Sequence, residues 1–193
     1  MEFLKKNFFE TAELISNFLV DDMNYVKLQD VIKLIAERHI EGGKGLICGN
    51  GGSACEAMHY SEELTGRFRK DRKALGALSL TDPTHITCVA NDFGFDRVFE
   101  RGIEALGNPQ DYLIVLSTSG NSENIIRAVN KANELNMLTI GLLGKDGGKV
   151  KDTLDYSFIV PAKTSDRIQE VHMVIIHSMI EGIERLLFKE NYD

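Results

Sequence analysis

The sequence predicts an α/β fold of the flavodoxin-like kind: a three-layer sandwich in which helices flank a central sheet of five parallel strands. The candidate strands are continuous apolar runs, such as residues 112–116 (YLIVL), which are typical of parallel strands buried on both faces. Two of these runs are each followed by a short polar or glycine-rich loop and then by a helical pattern. A pair of amphipathic segments before the first strand predicts two N-terminal helices.

No linker or low-complexity tract interrupts the chain, which predicts a single domain over residues 1–193. Its parts are N-terminal helices within 2–41 (2–20 and 25–41), a sheet core over 44–161 and a long C-terminal helix over 165–188.

Five segments are predicted strands, and in chain order they are residues 45–48, 74–80, 112–116, 138–143 and 156–160. The helical pattern between the third and fourth predicts a right-handed crossover between parallel strands. Pro161 follows the fifth strand, and Thr164 or Ser165 then suits the N-cap of the last helix.

The composition indicates a globular protein that binds neither nucleic acid nor membrane. Hydrophobic residues make up 43% and charged residues 26% of the chain, as in ordinary globular domains. The net charge of −7 disfavours a phosphate polymer as partner, because such binding needs many Lys and Arg side chains. No apolar run reaches the roughly 18 residues of a membrane span. Three cysteines without a CxxC pair suit a reducing compartment, so we expect a cytoplasmic protein.

Two loops that follow predicted strands are candidate phosphate sites. The carboxyl ends of parallel strands meet at one sheet edge, where α/β proteins bind ligands, and helix-start amides and hydroxyls bind phosphate. The alternative is that Ser and Asn side chains only cap the two helices. Neither loop has a Walker or GxGxxG sequence, so no nucleotide cofactor is expected. The candidate residues are Asn50, Gly51, Gly52 and Ser53 in the first loop and Ser117, Thr118, Ser119 and Ser122 in the second.

Residues 117–122 (STSGNS), after an apolar strand, resemble the phosphate loop of the sugar isomerase (SIS) domain family. Four further segments resemble the bacterial phosphoheptose isomerases within it: 48–53 (CGNGGS), 57–67 (AMHYSEELTGR), 91–95 (NDFGF) and 166–172 (DRIQEVH). With the strands between them, the resemblance covers nearly the whole chain.

The resemblance implies an enzyme that converts D-sedoheptulose 7-phosphate to D-glycero-D-manno-heptose 7-phosphate through an enediol. This is the first step toward nucleotide-activated heptose for lipopolysaccharide or capsule. The resemblance also implies a homotetramer with active sites between subunits and one zinc ion in each site. The STSGNS-type loop alone specifies only sugar-phosphate binding, because the family contains regulators and adaptors beside enzymes.

The positions matched to the family's reaction are Glu63 and His177. Aldose–ketose isomerisation moves a proton between adjacent carbons and needs a second group for the oxygens. We expect Glu63, which also contacts substrate, to be the base at carbon. His177 is expected to be the acid/base, since an imidazole gains and loses protons near neutral pH. It would either shuttle protons between the sugar oxygens or help to open the sugar ring.

The positions matched to the family's metal site are His59, Glu63, Gln169 and His177. His59 and Glu63 share one helix face and suit zinc, although from that spacing alone a hydrogen-bonded buried histidine is the commoner arrangement. Gln169 and His177 lie about 12 Å apart along a helix. Either both side chains extend to one ion, or another subunit supplies one ligand, or one of the two contacts substrate.

The remaining substrate contacts implied by the resemblance are Gln169, Asn91 and Asp92. A loop amide and carboxylate suit the vicinal hydroxyls of a sugar. The other histidines, His39, His85 and His172, are interpreted as structural, and residues 144–149 (GKDGGK) as a glycine-rich turn.

Two alternative functions are a non-catalytic SIS adaptor that binds a replication initiator and a sugar-phosphate sensor domain of a regulator. The adaptor lacks the acidic base and the distal histidine, whereas Glu63 and His177 are both present here. A sensor domain of a regulator would be accompanied by a DNA-binding or second catalytic domain, and neither is expected within these 193 residues. The sequence therefore favours the enzyme.

Overall fold

The computed structural model describes residues 1–192 and contains a sheet of five parallel strands, as the sequence predicts. The sheet order is β2-β1-β3-β4-β5. The second strand is shorter than the predicted 74–80, because only residues 77–79 pair with β1 at the sheet edge. The strands are β1 Gly45–Gly49, β2 Ala77–Ser79, β3 Tyr112–Ser117, β4 Leu138–Gly144 and β5 Tyr156–Val160.

Seven α-helices flank the sheet in the described part of the chain. The second begins at residue 22 rather than 25, because the Asp21 carboxylate accepts a hydrogen bond from the Met23 amide at 3.0 Å. The last ends one residue before the predicted 188. None of the helices within residues 1–192 is both long and apolar enough to cross a membrane. The helices are α1 Glu2–Val20, α2 Asp22–Ile40, α3 Gly52–Thr65, α4 Pro83–Phe93, α5 Val98–Leu106, α6 Glu123–Glu134 and α7 Ser165–Leu187.

A layer of helices packs on each face of the sheet. Side chains of β3 alternate between the two layers: Ile114 and Leu116 belong to the core formed with α1, α2, α3 and α7. Leu113 and Val115 belong to the core formed with α4, α5 and α6. Because both faces are buried, the strand is a continuous apolar run rather than an alternating one.

The direction in which the chain adds strands reverses at β1 and β3, since β2 lies on one side of this pair and β4 and β5 lie on the other. Gly49 is paired with Leu116, so the loops after the two strands begin side by side. Open α/β sheets bind ligands at the carboxyl ends of their strands at such a point.

The N-terminal helix α1 leaves apolar side chains uncovered. Phe18 is its buried residue, whereas Phe3, Leu4, Phe8 and Phe9 are exposed, Phe8 to 79%. A row of exposed large apolar side chains is typical of a protein contact surface.

A chain of hydroxyl and imidazole groups connects α2, β3 and α3. The His39 Nε2 atom lies 3.1 Å from Tyr112 Oη, and Tyr112 Oη lies 3.1 Å from Tyr60 Oη. Burial lowers the pKa of His39 from 6.5 to about 4. The folded protein therefore holds this imidazole neutral well below neutral pH, while the unfolded chain would protonate it.

The free energy of unfolding should fall as the pH drops from about 6.5 to about 4, because only the unfolded state then binds a proton at His39. At about 1.4 kcal/mol per pKa unit, this loss is at most about 3.5 kcal/mol. We expect His39→Gln to reduce the loss, measured by urea unfolding at pH 7, 5.5 and 4.5. His85→Gln is the control for removal of an imidazole; equal pH slopes in wild type and His39→Gln would contradict the assignment.

Candidate functional site

Glycines shape the loop between β1 and α3. Gly51 has a φ of 57° and a ψ of −121°, a backbone conformation that favours glycine. A Cβ on Gly49 would lie 2.6 Å from the Ser53 carbonyl oxygen, so the end of β1 passes directly against the first turn of α3. The backbone amides in the first turn of α3 therefore lie at the carboxyl edge of the sheet.

The loop between β3 and α6 is supported from within and from outside. Ser117 Oγ accepts a hydrogen bond from the Gly120 amide at 3.1 Å. Gly120 has a φ of 61°, and a Cβ there would lie 1.9 Å from the Gly147 carbonyl oxygen. The predicted glycine-rich turn over residues 144–149 therefore packs against this loop, residues 117–122, which we call the serine loop. The Val150 amide adds a 3.1 Å hydrogen bond to the Gly120 carbonyl.

Three helices begin around this sheet edge without a side-chain cap. Gly51, Ser122 and Thr164 are the N-cap residues of α3, α6 and α7. Gly51 has no side chain, and within the described residues neither the Ser122 nor the Thr164 side chain accepts a hydrogen bond from a backbone amide of its helix. Thr164 occupies the N-cap position of α7, as expected, but it forms no side-chain cap hydrogen bond. Ser165 Oγ lies 3.1 Å from Thr118 Oγ1 instead. The alternative that loop side chains merely cap α3 and α6 is wrong, since the described residues give neither helix a side-chain cap.

A cavity of about 370 Å³ lies between the two loops and α7. Lysine and arginine are missing from its described lining, so a phosphate bound there would be held by hydroxyls and helix-start amides. Of the predicted loop residues, only Gly51 is outside the lining. The lining residues are Asn50, Gly52, Ser53, Leu116, Ser117, Thr118, Ser119, Ser122, Ser165 and Gln169.

Two residues of this site, Asn124 and Ser165, were not among the predicted site residues. Asn50 and Asn124 exchange two amide hydrogen bonds of 2.9 Å, which tie the two loops together. Ser165 lines the cavity. Each lies in the first turn of a helix that follows a strand, and a polar residue at that position is the signal from which sequence reasoning could find them.

A larger hollow of about 610 Å³ opens at the other edge of the sheet, where β4 and β5 begin. Its lining includes Asn136, Asp155 and Tyr156. Because parallel sheets bind ligands at the carboxyl ends of their strands, the smaller cavity at the serine loop is the candidate site.

A second polar cluster lies on α3 and α7. His59 Nε2 is 3.2 Å from Glu63 Oε1 and 3.3 Å from His177 Nε2. One ligand atom from each residue lies within 4.8 Å of the other two. The Glu63 side chain is 15% exposed and that of His59 is 42% exposed. The structure thus brings together three of the four predicted metal ligands, including both predicted catalytic residues.

The cluster fits a zinc ion by distance and by chemistry. Zinc bonds of 2.0–2.1 Å in a tetrahedral arrangement separate neighbouring ligand atoms by roughly 3.3 Å. The separations of 3.2 Å and 3.3 Å around His59 Nε2 match that value. Two imidazoles and a carboxylate also form the three-ligand set of many zinc sites that leave the fourth position open for water or substrate.

Gln169 lines the cavity and lies against the start of α3. Its Nε2 atom is 3.4 Å from Ser53 Oγ, and a Cβ on Gly52 would lie 2.5 Å from the same Nε2 atom. Of the arrangements left open for Gln169 and His177, this geometry within one chain is closest to the one in which Gln169 contacts substrate.

Asn91 and Asp92 lie outside the cavity of their own chain. Both are exposed in the last turn of α4, and Asn91 Nδ2 donates a 2.7 Å hydrogen bond to Asp92 Oδ1. Neither belongs to the cavity lining as described for residues 1–192. The fold therefore does not bring these two predicted sugar contacts to the serine loop of the same chain.

Three histidines are interpreted as structural. Each of them lies against a backbone carbonyl or a buried hydroxyl. His85 Nε2 lies 2.9 Å from the Val98 carbonyl oxygen, and His172 Nε2 lies 3.1 Å from the Leu143 carbonyl oxygen. His39 joins the Tyr112 hydroxyl instead.

Known proteins share both the sequence and the fold of this chain. A family model for the SIS domain matches residues 7–144. A phosphoheptose isomerase of Fusobacterium nucleatum is 54% identical over 180 residues, which are 93% of this chain and 93% of that protein. One of Vibrio cholerae is 48% identical over 185 residues, 95% of this chain and 97% of that protein.

Two solved structures also resemble this chain in fold and sequence. A phosphoheptose isomerase from Neisseria gonorrhoeae superposes with a TM-score of 0.88 at 37% identity, covering 95% of this chain and 97% of that one. A phosphoheptose isomerase from Francisella tularensis superposes with a TM-score of 0.85 at 34% identity, covering 96% and 99%. This chain therefore belongs to the SIS domain family and, within it, to the phosphoheptose isomerases.

Proposed function

We propose that this chain converts D-sedoheptulose 7-phosphate to D-glycero-D-manno-heptose 7-phosphate, an aldose–ketose isomerisation at the start of activated-heptose synthesis. The observation that carries the proposal is that Glu63 and His177 meet on the two helices, α3 and α7, whose first turns line the phosphate cavity. Identities of 54% and 48% to phosphoheptose isomerases support the same substrate.

The layout suits a long sugar phosphate. Gln169 at the cavity and His177 in the cluster are eight residues apart on α7, about 12 Å along the helix axis. A heptose 7-phosphate has its phosphate at C7 and its reacting carbons, C1 and C2, at the other end. Phosphate held by the serine loop would direct the reacting carbons toward Glu63 and His177.

The reaction needs two proton transfers. In the proposed mechanism Glu63 removes a proton from C1 of the ketose and, after an enediol forms, returns it to C2. His177 carries a proton from the C1 oxygen to the C2 oxygen, so the carbonyl moves from C2 to C1. The largely buried position of the Glu63 side chain limits exchange of the carried proton with water, which favours its return to the sugar.

The first prediction concerns Glu63. We expect Glu63→Gln to lower kcat by on the order of 10²–10⁴-fold, with KM changed only a few-fold, because the amide cannot accept the carbon proton. Turnover of sedoheptulose 7-phosphate by the purified protein measures this. Glu62→Gln, an exposed neighbour on the same helix, is the matched control. Wild-type turnover in Glu63→Gln would remove Glu63 as the base.

A sugar-phosphate receptor without catalysis is the second candidate, since the serine loop alone supports only binding. The convergence of Glu63 and His177 within one cluster favours the enzyme. A receptor would bind sedoheptulose 7-phosphate and return it unchanged.

We further propose that His59, Glu63 and His177 hold one zinc ion per chain, with Gln169 contacting substrate and able to approach the ion only when its side chain extends. The ligand spacing and donor set support this proposal. Zinc would supply Lewis-acid stabilisation of the charge that develops on the sugar oxygens. His59 has a positioning part in this scheme, since it lies against both Glu63 and His177.

Removal of the metal is therefore expected to lower activity, and added zinc to restore it. The measurement is turnover after chelation and dialysis, with metal content determined in the same samples. His59→Gln should bind zinc more weakly, by about 10-fold or more, while His85→Gln should bind it as wild type does. Full activity in a protein shown to be free of metal would reject a required ion.

We propose that the chain forms a homotetramer with active sites between subunits. The exposed phenylalanines of α1 support an apolar contact surface. Asn91 and Asp92, which lie outside their own chain's cavity, would then be sugar contacts supplied by a neighbouring copy. We also propose a cytoplasmic location, which the three free cysteines support.

Light scattering should give a solution mass four times the 21.6 kDa of the chain. Phe8→Glu should lower that mass, because a charge would be buried in the contact. Lys5→Glu, an exposed change on the same helix, should leave it unchanged. A wild-type mass of a single chain would exclude the tetramer.

A further inference from the structure

The segment between α3 and β2, residues 66–76, forms neither helix nor strand. Its first half lies along one side of α7. Three contacts at residues 177, 181 and 184 of α7 follow one another at spacings of four and three residues, so they mark a single helix face. The contacts are Phe68 on His177, Arg69 on Glu181 and Arg72 on Glu184.

Phe68 stacks on the imidazole of His177. The two ring centroids are 5.8 Å apart and the ring planes differ by 23°. His59 meets the same imidazole nearly edge-on, with centroids 5.2 Å apart and planes 68° apart. Since one neighbour lies parallel to the imidazole and the other across it, rotation of the His177 ring about its side-chain bonds would break both contacts.

Arg69 holds Phe68 against His177. The Arg69 guanidinium lies 5.0 Å from the Phe68 ring centroid, in the range of a cation–π contact. It also forms a 2.7 Å ion pair with Glu181. The Phe68 ring therefore lies between the His177 imidazole, which belongs to α7, and the Arg69 guanidinium, which is ion-paired to α7 through Glu181.

The ion pair of Arg72 and Glu184 anchors the segment more firmly. Both side chains are 1% exposed, and Arg72 Nε lies 2.7 Å from Glu184 Oε1. The same guanidinium donates to the carbonyl oxygens of Glu63 at 2.7 Å and Leu64 at 2.8 Å, which have no donor within their own helix. Tyr192 Oη donates to the other Glu184 oxygen at 2.6 Å.

This buried network joins the two helices that carry the proposed chemistry. Arg72 binds the end of α3 at Glu63 itself and binds α7 two turns beyond His177. Ion pairs that are buried and hydrogen-bonded on all sides hold a single geometry. The loop that carries Phe68 is therefore fixed relative to both Glu63 and His177.

We propose that Phe68 is a positioning residue for His177, and that the Arg72–Glu184 ion pair holds the Phe68 ring in its stacked position. The consequence for turnover rests on the proposed function of His177, whereas the stacking itself does not. A group that sets the orientation of a ligand or acid/base side chain typically changes metal affinity or activity by 10–100-fold when removed.

The experiment compares Phe68→Leu with Phe68→Tyr in the full-length protein. At one fixed pH, the ring-proton resonances of His177, assigned from His177→Gln, should carry a ring-current shift in wild type and in Phe68→Tyr. Phe68→Leu, which keeps apolar bulk without a ring, should lose that shift. It should also lower kcat for sedoheptulose 7-phosphate by about 10-fold with KM within two-fold, while Phe68→Tyr stays near wild type.

Two outcomes overturn the proposal. One is an unchanged His177 resonance in Phe68→Leu, and the other is a Phe68→Tyr protein as slow as Phe68→Leu. If wild type does not turn over sedoheptulose 7-phosphate at all, the proposed function fails, and the resonances alone decide the positioning of His177.

The role of the Arg72–Glu184 ion pair is tested by Arg72→Lys. This change keeps the charge but loses the guanidinium hydrogen bonds to the Glu63 and Leu64 carbonyl oxygens. It should shift the His177 resonances in the same direction as Phe68→Leu. Arg101→Lys, in an exposed pair with Glu104, is the matched control and should leave them unchanged. A folded Arg72→Lys protein with wild-type His177 resonances would remove the ion pair from the proposal.

Discussion

The parallel packing of α3 against α7 is the constraint on which the rest of the site depends. Polar contacts cross this interface at three levels, and along both helices the levels follow in the same order, so the helices run in the same direction. Because successive levels are three to five residues apart, about one to one and a half turns, helix geometry itself sets the separation between the proposed phosphate end and the proposed reacting end. The contacts are Ser53 with Gln169, Glu56 with His172, and His59 with His177.

The two ends of this interface meet different electrostatic needs. The end with Ser53 and Gln169 presents the starts of α3, α6 and α7, which have no side-chain cap. A dianion could bind there although the net charge of the chain is −7. Helix-start amides and hydroxyls attract phosphate without any cationic side chain. At the second end two imidazoles and a carboxylate converge, which suits proton transfer and a metal ion. The buried contact between Glu56 and His172, 3.9 Å apart, separates the two regions.

Residue periodicity predicted the sheet and the helices well, because the spacing of apolar residues depends only on the helix or strand that contains them. The continuous apolar runs indicated strands covered on both sides, and both helix layers are present. The predictions that needed knowledge of a neighbouring element were weaker. Ser165 has the residue type of an N-cap, yet its hydroxyl meets Thr118 of another loop. Asn91 and Asp92 match a family motif, but α4 carries them away from the cavity of their own chain.

The sequence by itself determined the order of the elements, the two loops at strand ends and the set of residue types that fits a sugar-phosphate isomerase. Helical spacing also put His59 and Glu63 on one face. Only the tertiary structure decided that His177 joins them and that Gln169 lies at Ser53, contacts between residues 118 and 116 positions apart. Spacing along one helix carries no information about the register between two helices, which packing against the sheet sets. The same packing placed Phe68 on His177.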